Sequence, residues 1–148
     1  LAIVFDIDET SLSNYNDMQA LDFGGTNSDY IKAEEKGTDP AIPSTLTLYQ
    51  YAKNHHITVF FVTGRKEALR LATSKNLKRS GYKTWQYLYM KPNDYHKESV
   101  VPYKSSIRKT IEKKGYDIVI NIGDQFSDLK GGFADMVFKV PDPYYFIS

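Results

Sequence analysis

The chain has 148 residues, 41% of them apolar, which is enough for one substantial hydrophobic core and short for two. We therefore expect a single domain over residues 1–148. Nineteen Lys and Arg against eighteen Asp and Glu leave a formal charge of +1, which argues against the strong positive field of a nucleic-acid-binding protein. The absence of cysteine excludes a disulfide framework, a thiolate nucleophile and a sulfur-bound zinc site.

The first predicted element is a strand over the unbroken apolar run from Leu1 to Phe5. Such a run is typical of a strand buried on both faces of a parallel sheet. The strand is followed by Asp6 and Asp8, which places both acids beyond its carboxyl end, where ligands bind in open α/β sheets. Two such acids bind a divalent cation, supply a nucleophile and a proton donor, or only cap the next element.

Residues 11–42 are polar and rich in turn formers, and we interpret them as a small flap inserted after the first strand. A short helix is predicted over residues 28–36, ending at Gly37. The flap contains the aromatic residues Tyr15, Phe23 and Tyr30. Each either stacks on an aromatic group of a substrate or packs within the flap, and the sequence leaves both roles open.

The rest of the chain alternates between strands and helices. Strands are predicted over residues 57–62, 85–90, 118–122 and 137–140, and helices over 43–54, 66–79 and 103–114. This alternation is typical of a doubly wound α/β fold, a Rossmann-like three-layer α/β/α domain with a parallel sheet and right-handed crossovers. No apolar run is long enough to span a bilayer, and the first residues lack the pattern of a signal peptide.

Three predicted strands deliver polar residues to one edge of this sheet. Asp6 and Asp8 follow the first strand, Thr63 and Gly64 the second, and a segment from Asp124 to Asp128 the fourth. Phosphoryl transfer needs such a set: a carboxylate to attack phosphorus, acids to bind Mg²⁺, and donors for the phosphate oxygens. We expect Thr63 and Gly64 to bind phosphate where a helix starts, whereas the neighbouring Arg65 is expected to be a solvated helix start.

The same chemistry needs a lysine, and two residues are candidates for it. Lys91 and Lys104 both lie between the second strand and Asp124. Lys104 stands at the start of the helix that leads into the fourth strand, so we expect it to point across the carboxyl edge. Lys104 is therefore the preferred residue.

These motifs together resemble a known family. They read Phe-Asp-Ile-Asp-Glu-Thr at 5–10, Val-Thr-Gly-Arg at 62–65, Tyr-Lys-Ser at 103–105, Gly-Asp-Gln-Phe-Ser-Asp at 123–128, and Val-Pro-Asp-Pro-Tyr-Tyr at 140–145. The chain is similar to acid phosphatases of the haloacid dehalogenase superfamily. The likeness is to the subgroup that holds class B and class C bacterial acid phosphatases and the plant enzymes related to vegetative storage proteins.

The resemblance implies a haloacid dehalogenase fold, a small phosphate-ester substrate and Mg²⁺. It implies a residue role at each matching position: Asp6 the nucleophile, Asp8 the general acid and base, Thr63 the phosphate-binding hydroxyl, Lys104 the lysine that steadies the phosphorylated aspartate, Asp124 a magnesium ligand with Asp6 and the Asp8 backbone carbonyl, and Asp128 a support for the metal site. Relatives of this kind are usually exported, so the resemblance favours a periplasmic, secreted or vacuolar protein.

Other interpretations of the acidic residues explain less. In a calcium loop, Ser11 and Asp17 would have to be Gly and Glu, and a glycosyltransferase-like metal site gives no role to Lys104. A storage or phosphate-binding protein on the same fold would be expected to have lost the nucleophile, whereas Asp6 is present. A phosphotransferase would use the same residues as a phosphatase.

Overall fold

A computed structural model describes residues 1–147. It contains one five-stranded parallel sheet in the order β3-β2-β1-β4-β5. The strands are β1 (Ala2–Phe5), β2 (Thr58–Lys66), β3 (Tyr87–Lys91), β4 (Ile118–Gly123) and β5 (Met136–Lys139). This confirms the predicted parallel α/β fold.

The six α-helices are α1 (Tyr15–Ala20), α2 (Asn27–Lys36), α3 (Pro43–Asn54), α4 (Arg70–Arg79), α5 (Val101–Lys113) and α6 (Phe126–Leu129). Local sequence explains several of their boundaries. Thr26 and Asp29 form a capping box at the start of α2, and Gly37 ends it in the left-handed conformation with φ 63°. Within residues 1–147, no helix has both the length and the apolar character needed to cross a membrane.

Strand β1 lies at the centre of the sheet and separates its two halves. The chain proceeds from β1 to β2 and β3 on one side, then crosses to β4 and β5 on the other. Phe5, the last residue of β1, is opposite Phe61 of β2 and Ile122 of β4. Strand β1 ends at this level and β4 ends one residue further on, whereas β2 continues to Lys66. The crevice at this topological switch point lies above the end of β1, between β2 and β4.

The core consists of two apolar layers, one on each face of the sheet. Ile3 and Phe5 point into a layer with Tyr49 of α3 and Leu77 of α4. Ala2 and Val4 point into the opposite layer, which contains Tyr103 and Ile111 of α5. Alternation of side chains along a buried strand therefore produces the three-layer arrangement.

Some predicted boundaries were wrong. Strand β2 continues beyond Thr63 because Lys66 still pairs with Lys91 of β3, and a single 3-10 turn (Glu67–Leu69) precedes α4. The predicted helix over 66–79 therefore begins only at Arg70, so Thr63 and Gly64 do not lie at a helix start. The short helices α1 and α6 were not predicted from the sequence.

Candidate active site

A tight loop after β1 holds Asp6 in place. The backbone N–H groups of Ser11 and Leu12 both donate to the carbonyl oxygen of Ile7, and the Ser11 hydroxyl donates to the carbonyl oxygen of Asp6 at 2.7 Å. Glu9 lies in the left-handed region with φ 57°, an uncommon conformation for a non-glycine residue. The loop thereby fixes the Asp6 carboxylate at the carboxyl end of β1, where it is 6% exposed.

Lys104 forms a buried ion pair with Asp6. Its Nζ donates to Asp6 Oδ1 at 2.9 Å and also contacts Asp128 Oδ1. Burial lowers the pKa of Lys104, but the charges of Asp6 and Asp128 outweigh burial and hold that pKa above its ordinary value. Of the two lysines considered from sequence, Lys104 is therefore the one at the carboxylates, whereas Lys91 ends β3 and lines the cavity in front of them.

Asp6, Asp124 and Asp128 form a compact carboxylate cluster. Each is buried and offers an oxygen within 4.8 Å of the other two. The Thr10 hydroxyl is 2.9 Å from Asp6 Oδ2 and 3.2 Å from Asp124 Oδ1. Burial, together with the charge of Asp128, raises the pKa of Asp6 to about 6, and burial together with Asp6 raises the pKa of Asp124 to about 11.

The carboxylate cluster is chemically suited to a hard divalent cation. Three carboxylates face a single ammonium group, so full ionisation of the cluster would leave negative charge that Lys104 does not balance. Burial together with this repulsion between carboxylates raises the pKa values of Asp6 and Asp124, and a bound cation would offset that rise. All the donors are oxygens, which Mg²⁺ prefers in proteins. The Asp8 carboxylate is not part of the cluster, and the resemblance assigned its backbone carbonyl, not its side chain, to the metal.

Gly123 and Arg108 position the Asp128 side of the cluster. A side chain at Gly123 would collide with the Asp128 side chain, so only glycine allows the loop to approach β4 this closely. Arg108 is 1% exposed and donates to the carbonyl oxygen of Asp128 at 2.7 Å, and Asn121 donates to the same oxygen at 2.9 Å. These contacts fix the loop after β4 relative to α5.

The sequence-based expectation for Arg65 was wrong. Arg65 is 3% exposed, and its guanidinium contacts both carboxylate oxygens of Asp8, with Nη2 at 2.7 Å from Oδ1 and Nε at 3.1 Å from each oxygen. Burial alone would raise the pKa of Asp8, but the charge and hydrogen bonds of Arg65 outweigh it and hold that pKa below its usual value. Asp8 is therefore held as a carboxylate in this conformation.

Arg65 also connects Asp8 to the flap. Its Nη2 lies 3.3 Å from Asp39 Oδ2, and its Nε lies 3.9 Å from Glu34 Oε1 on α2. The carboxylates around this guanidinium outnumber it. Burial and the surrounding acids accordingly raise the pKa of Asp39 to about 7 and that of Glu34 to about 8, although the charge of Arg65 opposes both shifts.

Thr63 and Gly64 are consecutive residues of β2, and Thr63 is fully buried. The Thr63 hydroxyl accepts the backbone N–H of Arg65 at 3.1 Å, which leaves the hydroxyl proton available for another acceptor. Gly64 lines the cavity, and a side chain there would extend into open space. Gly64 therefore borders the cavity that contains Asp6, whereas Thr63 lies directly before it, outside the cavity lining.

A cavity of about 780 Å³ opens above these residues. Its floor contains Asp6, Lys104 and Asp124. Its outer wall includes Phe23 of the flap and Tyr144 of the C-terminal segment, residues 140–147. The rings of Tyr15, Phe23 and Tyr144 form an aromatic triad with centroid separations of 6.0, 5.9 and 6.1 Å. The triad stays partly exposed, with Phe23 54% and Tyr144 41% exposed.

Gln125 ties the C-terminal segment to the carboxylate cluster. Its Nε2 donates to Asp124 Oδ2 at 2.9 Å and to Asp142 Oδ2 at 2.9 Å, and its Oε1 accepts the backbone N–H of Ile147 at 2.8 Å. The Tyr145 hydroxyl of the same segment donates a hydrogen bond to the Glu9 carboxylate in the first motif. The C-terminal segment is therefore part of the site. Sequence reasoning assigned no role to Gln125 or Thr10, although both lie inside the motifs.

The whole chain matches one protein-family profile. This profile, described as the acid phosphatases of subfamily IIIB in the haloacid dehalogenase (HAD) superfamily, covers residues 1–148. The chain belongs to this family. The recognition made from the motifs is thereby confirmed.

Relatives and solved structures are consistent with the family assignment. The chain is 38% identical to acid phosphatase 1 of Solanum lycopersicum and 37% identical to vegetative storage protein 1 of Arabidopsis thaliana. The alignments cover 97% of this chain but only 58% and 54% of those proteins. A class C acid phosphatase from Bacillus anthracis has the same fold, with a TM-score of 0.77 and 23% identity over 98% of this chain and 67% of that one.

Proposed function

We propose that this protein is a Mg²⁺-dependent phosphomonoesterase that forms a phosphoaspartate on Asp6. The observation that carries the proposal is the buried Asp6 carboxylate, paired with Lys104 at 2.9 Å, on the floor of a large cavity. A carboxylate that attacks a phosphate ester needs adjacent positive charge, because the nucleophile and the phosphate are both anions. Lys104 supplies that charge and stays protonated near Asp6.

In the first step, an oxygen of Asp6 bonds to phosphorus and the ester bond to the leaving oxygen breaks. Asp8 donates a proton to that oxygen, for which its carboxyl group must first leave Arg65 and take up a proton. In the second step, Asp8 accepts a proton from water as the water oxygen attacks phosphorus. The bond to Asp6 breaks, and inorganic phosphate is released.

The phosphate is bound by groups from two other elements. Gly64 and Lys104 line the cavity and would bind the phosphate oxygens through a backbone N–H and an ammonium group. The Thr63 hydroxyl, whose proton is not used in its contact with Arg65, is the further donor that we assign to the phosphate. These donors lie on rigid elements of the sheet and a long helix, so they are oriented before substrate binds.

Asp6, Asp124 and the Asp8 backbone carbonyl would hold Mg²⁺, with Asp128 supporting the site. Bound there, the cation would neutralise charge on the phosphate oxygens during transfer. The close approach of three buried carboxylates, which cannot all be ionised beside one ammonium group without a further cation, supports this assignment.

We propose small phosphate monoesters with an aromatic group, such as nucleotides and aryl phosphates, as the substrate class. The aromatic triad supports this choice because exposed rings at a cavity mouth offer a stacking surface. Tyr30 is a weaker candidate for stacking, since its hydroxyl donates to the carbonyl oxygen of Gly24 and anchors the flap.

The test is phosphate release from a chromogenic aryl phosphate at acidic to neutral pH. We expect turnover by the wild-type protein with Mg²⁺, and none by Asp6→Asn or in the presence of a chelator. Asp94→Asn is the matched control, because Asp94 is an exposed acid in a loop. Adding an alcohol and analysing the products separates hydrolysis from phosphotransfer. A wild-type protein that is inert with Mg²⁺ would favour phosphate binding or storage over catalysis.

A further inference from the structure

Strand β5 is an unusually exposed edge of the sheet. Among the described residues it pairs with β4 alone, and its apolar residues Met136, Val137 and Phe138 are 55%, 50% and 44% exposed. Strands of a three-layer parallel sheet are normally covered on both faces. Within residues 1–147, no strand pairs with the outer edge of β5, so an apolar strand of natural pairing length is left open.

The hydrogen-bonding groups on that outer edge can be identified from the register. The backbone N–H of Asp135 donates to the carbonyl oxygen of Ile118 at 2.9 Å, toward β4. Successive residues of a strand direct their backbone N–H and C=O groups to opposite edges, so those of Val137 also point toward β4. The N–H and C=O groups of Met136 and Phe138 therefore point outward, where a second strand can pair with them.

The sequence around β5 is complementary to itself in one orientation. It reads Asp-Met-Val-Phe-Lys from Asp135 to Lys139. If two copies pair antiparallel about Val137, Asp135 lies opposite Lys139 of the other copy and Met136 lies opposite Phe138. Asp135 and Lys139 are both exposed, and neither forms an ion pair within residues 1–147. A parallel pairing would instead place like charges side by side.

The antiparallel arrangement also agrees with the backbone geometry. Met136 and Phe138 would exchange hydrogen bonds with their counterparts across the two-fold axis. Asp135 and Lys139 would then form non-hydrogen-bonded pairs, in which side chains lie closest. Phe126, which is 52% exposed and has Lys139 Nζ at 5.2 Å from its ring, extends the apolar surface beside the strand.

We propose that a second copy of this chain binds β5, joining the two sheets into one continuous ten-stranded sheet about a two-fold axis. Each copy contributes the same surface, as a two-fold interface requires. The opposite charges at the two ends of β5 select the antiparallel register and favour a second copy over an unrelated strand. This proposal is independent of catalysis.

Sedimentation velocity over a dilution series tests the proposal. We expect the wild-type chain to be a dimer, and Asp135→Lys or Lys139→Asp to raise the dimer dissociation constant by about tenfold or more, because each places two like-charged pairs across the axis. The double variant Asp135→Lys with Lys139→Asp restores opposite charges and should restore the dimer. The control Asp94→Lys changes the net charge by the same amount and sign as Asp135→Lys, away from β5, and should remain dimeric.

A second variant tests the backbone pairing. Met136→Pro removes one outward N–H donor and leaves the hydrogen bonds to β4 in place. Because proline is tolerated on an edge strand, the variant should keep its far-ultraviolet circular dichroism spectrum. It should, however, be monomeric. A monomeric wild-type chain would overturn the proposal. So would a dimer that the single charge variants do not weaken, or one that the double variant does not restore.

Discussion

Replacing Arg65 with alanine should destabilise the fold strongly, because it removes the cation shared by Asp8 and Asp39. Both carboxylates would remain in place without this cation, and Asp39 is 5% exposed. Breaking a buried ion pair from one side costs about 3–5 kcal/mol, which is a large share of the roughly 5–15 kcal/mol that holds a typical domain together. We therefore expect a loss of about 3 kcal/mol or more in the free energy of unfolding at neutral pH.

The loss should depend on pH in a defined direction. Without Arg65, the buried Asp39 and the partly buried Asp8 should have pKa values above those of the unfolded chain, so the folded state should bind protons more readily. Lowering the pH from about 7.5 to about 5 should then recover part of the stability of Arg65→Ala. Urea unfolding at both pH values measures the effect.

Two comparisons make the Arg65 experiment decisive. Arg79→Ala, at an exposed position in α4, should change stability by less than about 0.5 kcal/mol. Adding Asp8→Asn and Asp39→Asn to Arg65→Ala should recover part of the lost free energy of unfolding, because the two carboxylates left without a cation are then replaced by neutral amides. A loss below about 1 kcal/mol, or an equal loss at both pH values, would refute the ionic account of Arg65.

Three further changes test other parts of the structure. Glu34→Gln should leave the free energy of unfolding unchanged near pH 4 and raise it by about 1 kcal/mol or more near pH 8.5. The pKa of Glu34 is about 8 in the folded state and lies above the unfolded value, so the wild-type protein loses stability as the pH rises between the two. Urea unfolding measures this difference, and a difference that does not depend on pH would contradict the prediction. Gly123→Ala should cost roughly 1–3 kcal/mol and most of the activity, since the new methyl group displaces Asp128; wild-type stability would contradict it. Tyr144→Ala should raise KM roughly three- to tenfold for an aryl phosphate but not for glycerol phosphate, and equal effects on both substrates would exclude stacking.

The strand ends could be predicted because their signal is local. A strand buried on both faces is a continuous apolar run, and β1, β2 and β4 each change from such a run to turn-forming or acidic residues within one or two positions. The parallel order of the sheet then brings Asp6, Thr63 and Asp124 together. The closeness of these three residues could therefore be predicted from the fold class.

The environment of Arg65 could not be predicted because its partners are distant in sequence. Asp8 precedes the flap and Asp39 lies near its end, and only the folded chain shows that both contact one guanidinium. The helices α1 and α6 have six and four residues, lengths at which helices depend on tertiary packing and not on their own propensity. The late start of α4 likewise follows from the pairing of Lys66 with Lys91.

The central claim is that Asp6 becomes phosphorylated, and chemical trapping of that intermediate tests it most directly. The protein is mixed with Mg²⁺ and an aryl phosphate, quenched in acid during turnover and treated with borohydride, which reduces an acyl phosphate to an alcohol. Mass spectrometry of the peptide containing residues 1–10 should then show homoserine in place of Asp6 and leave Asp8 unchanged. Turnover with no reduction at Asp6, or with reduction at another carboxylate, would contradict the proposed mechanism.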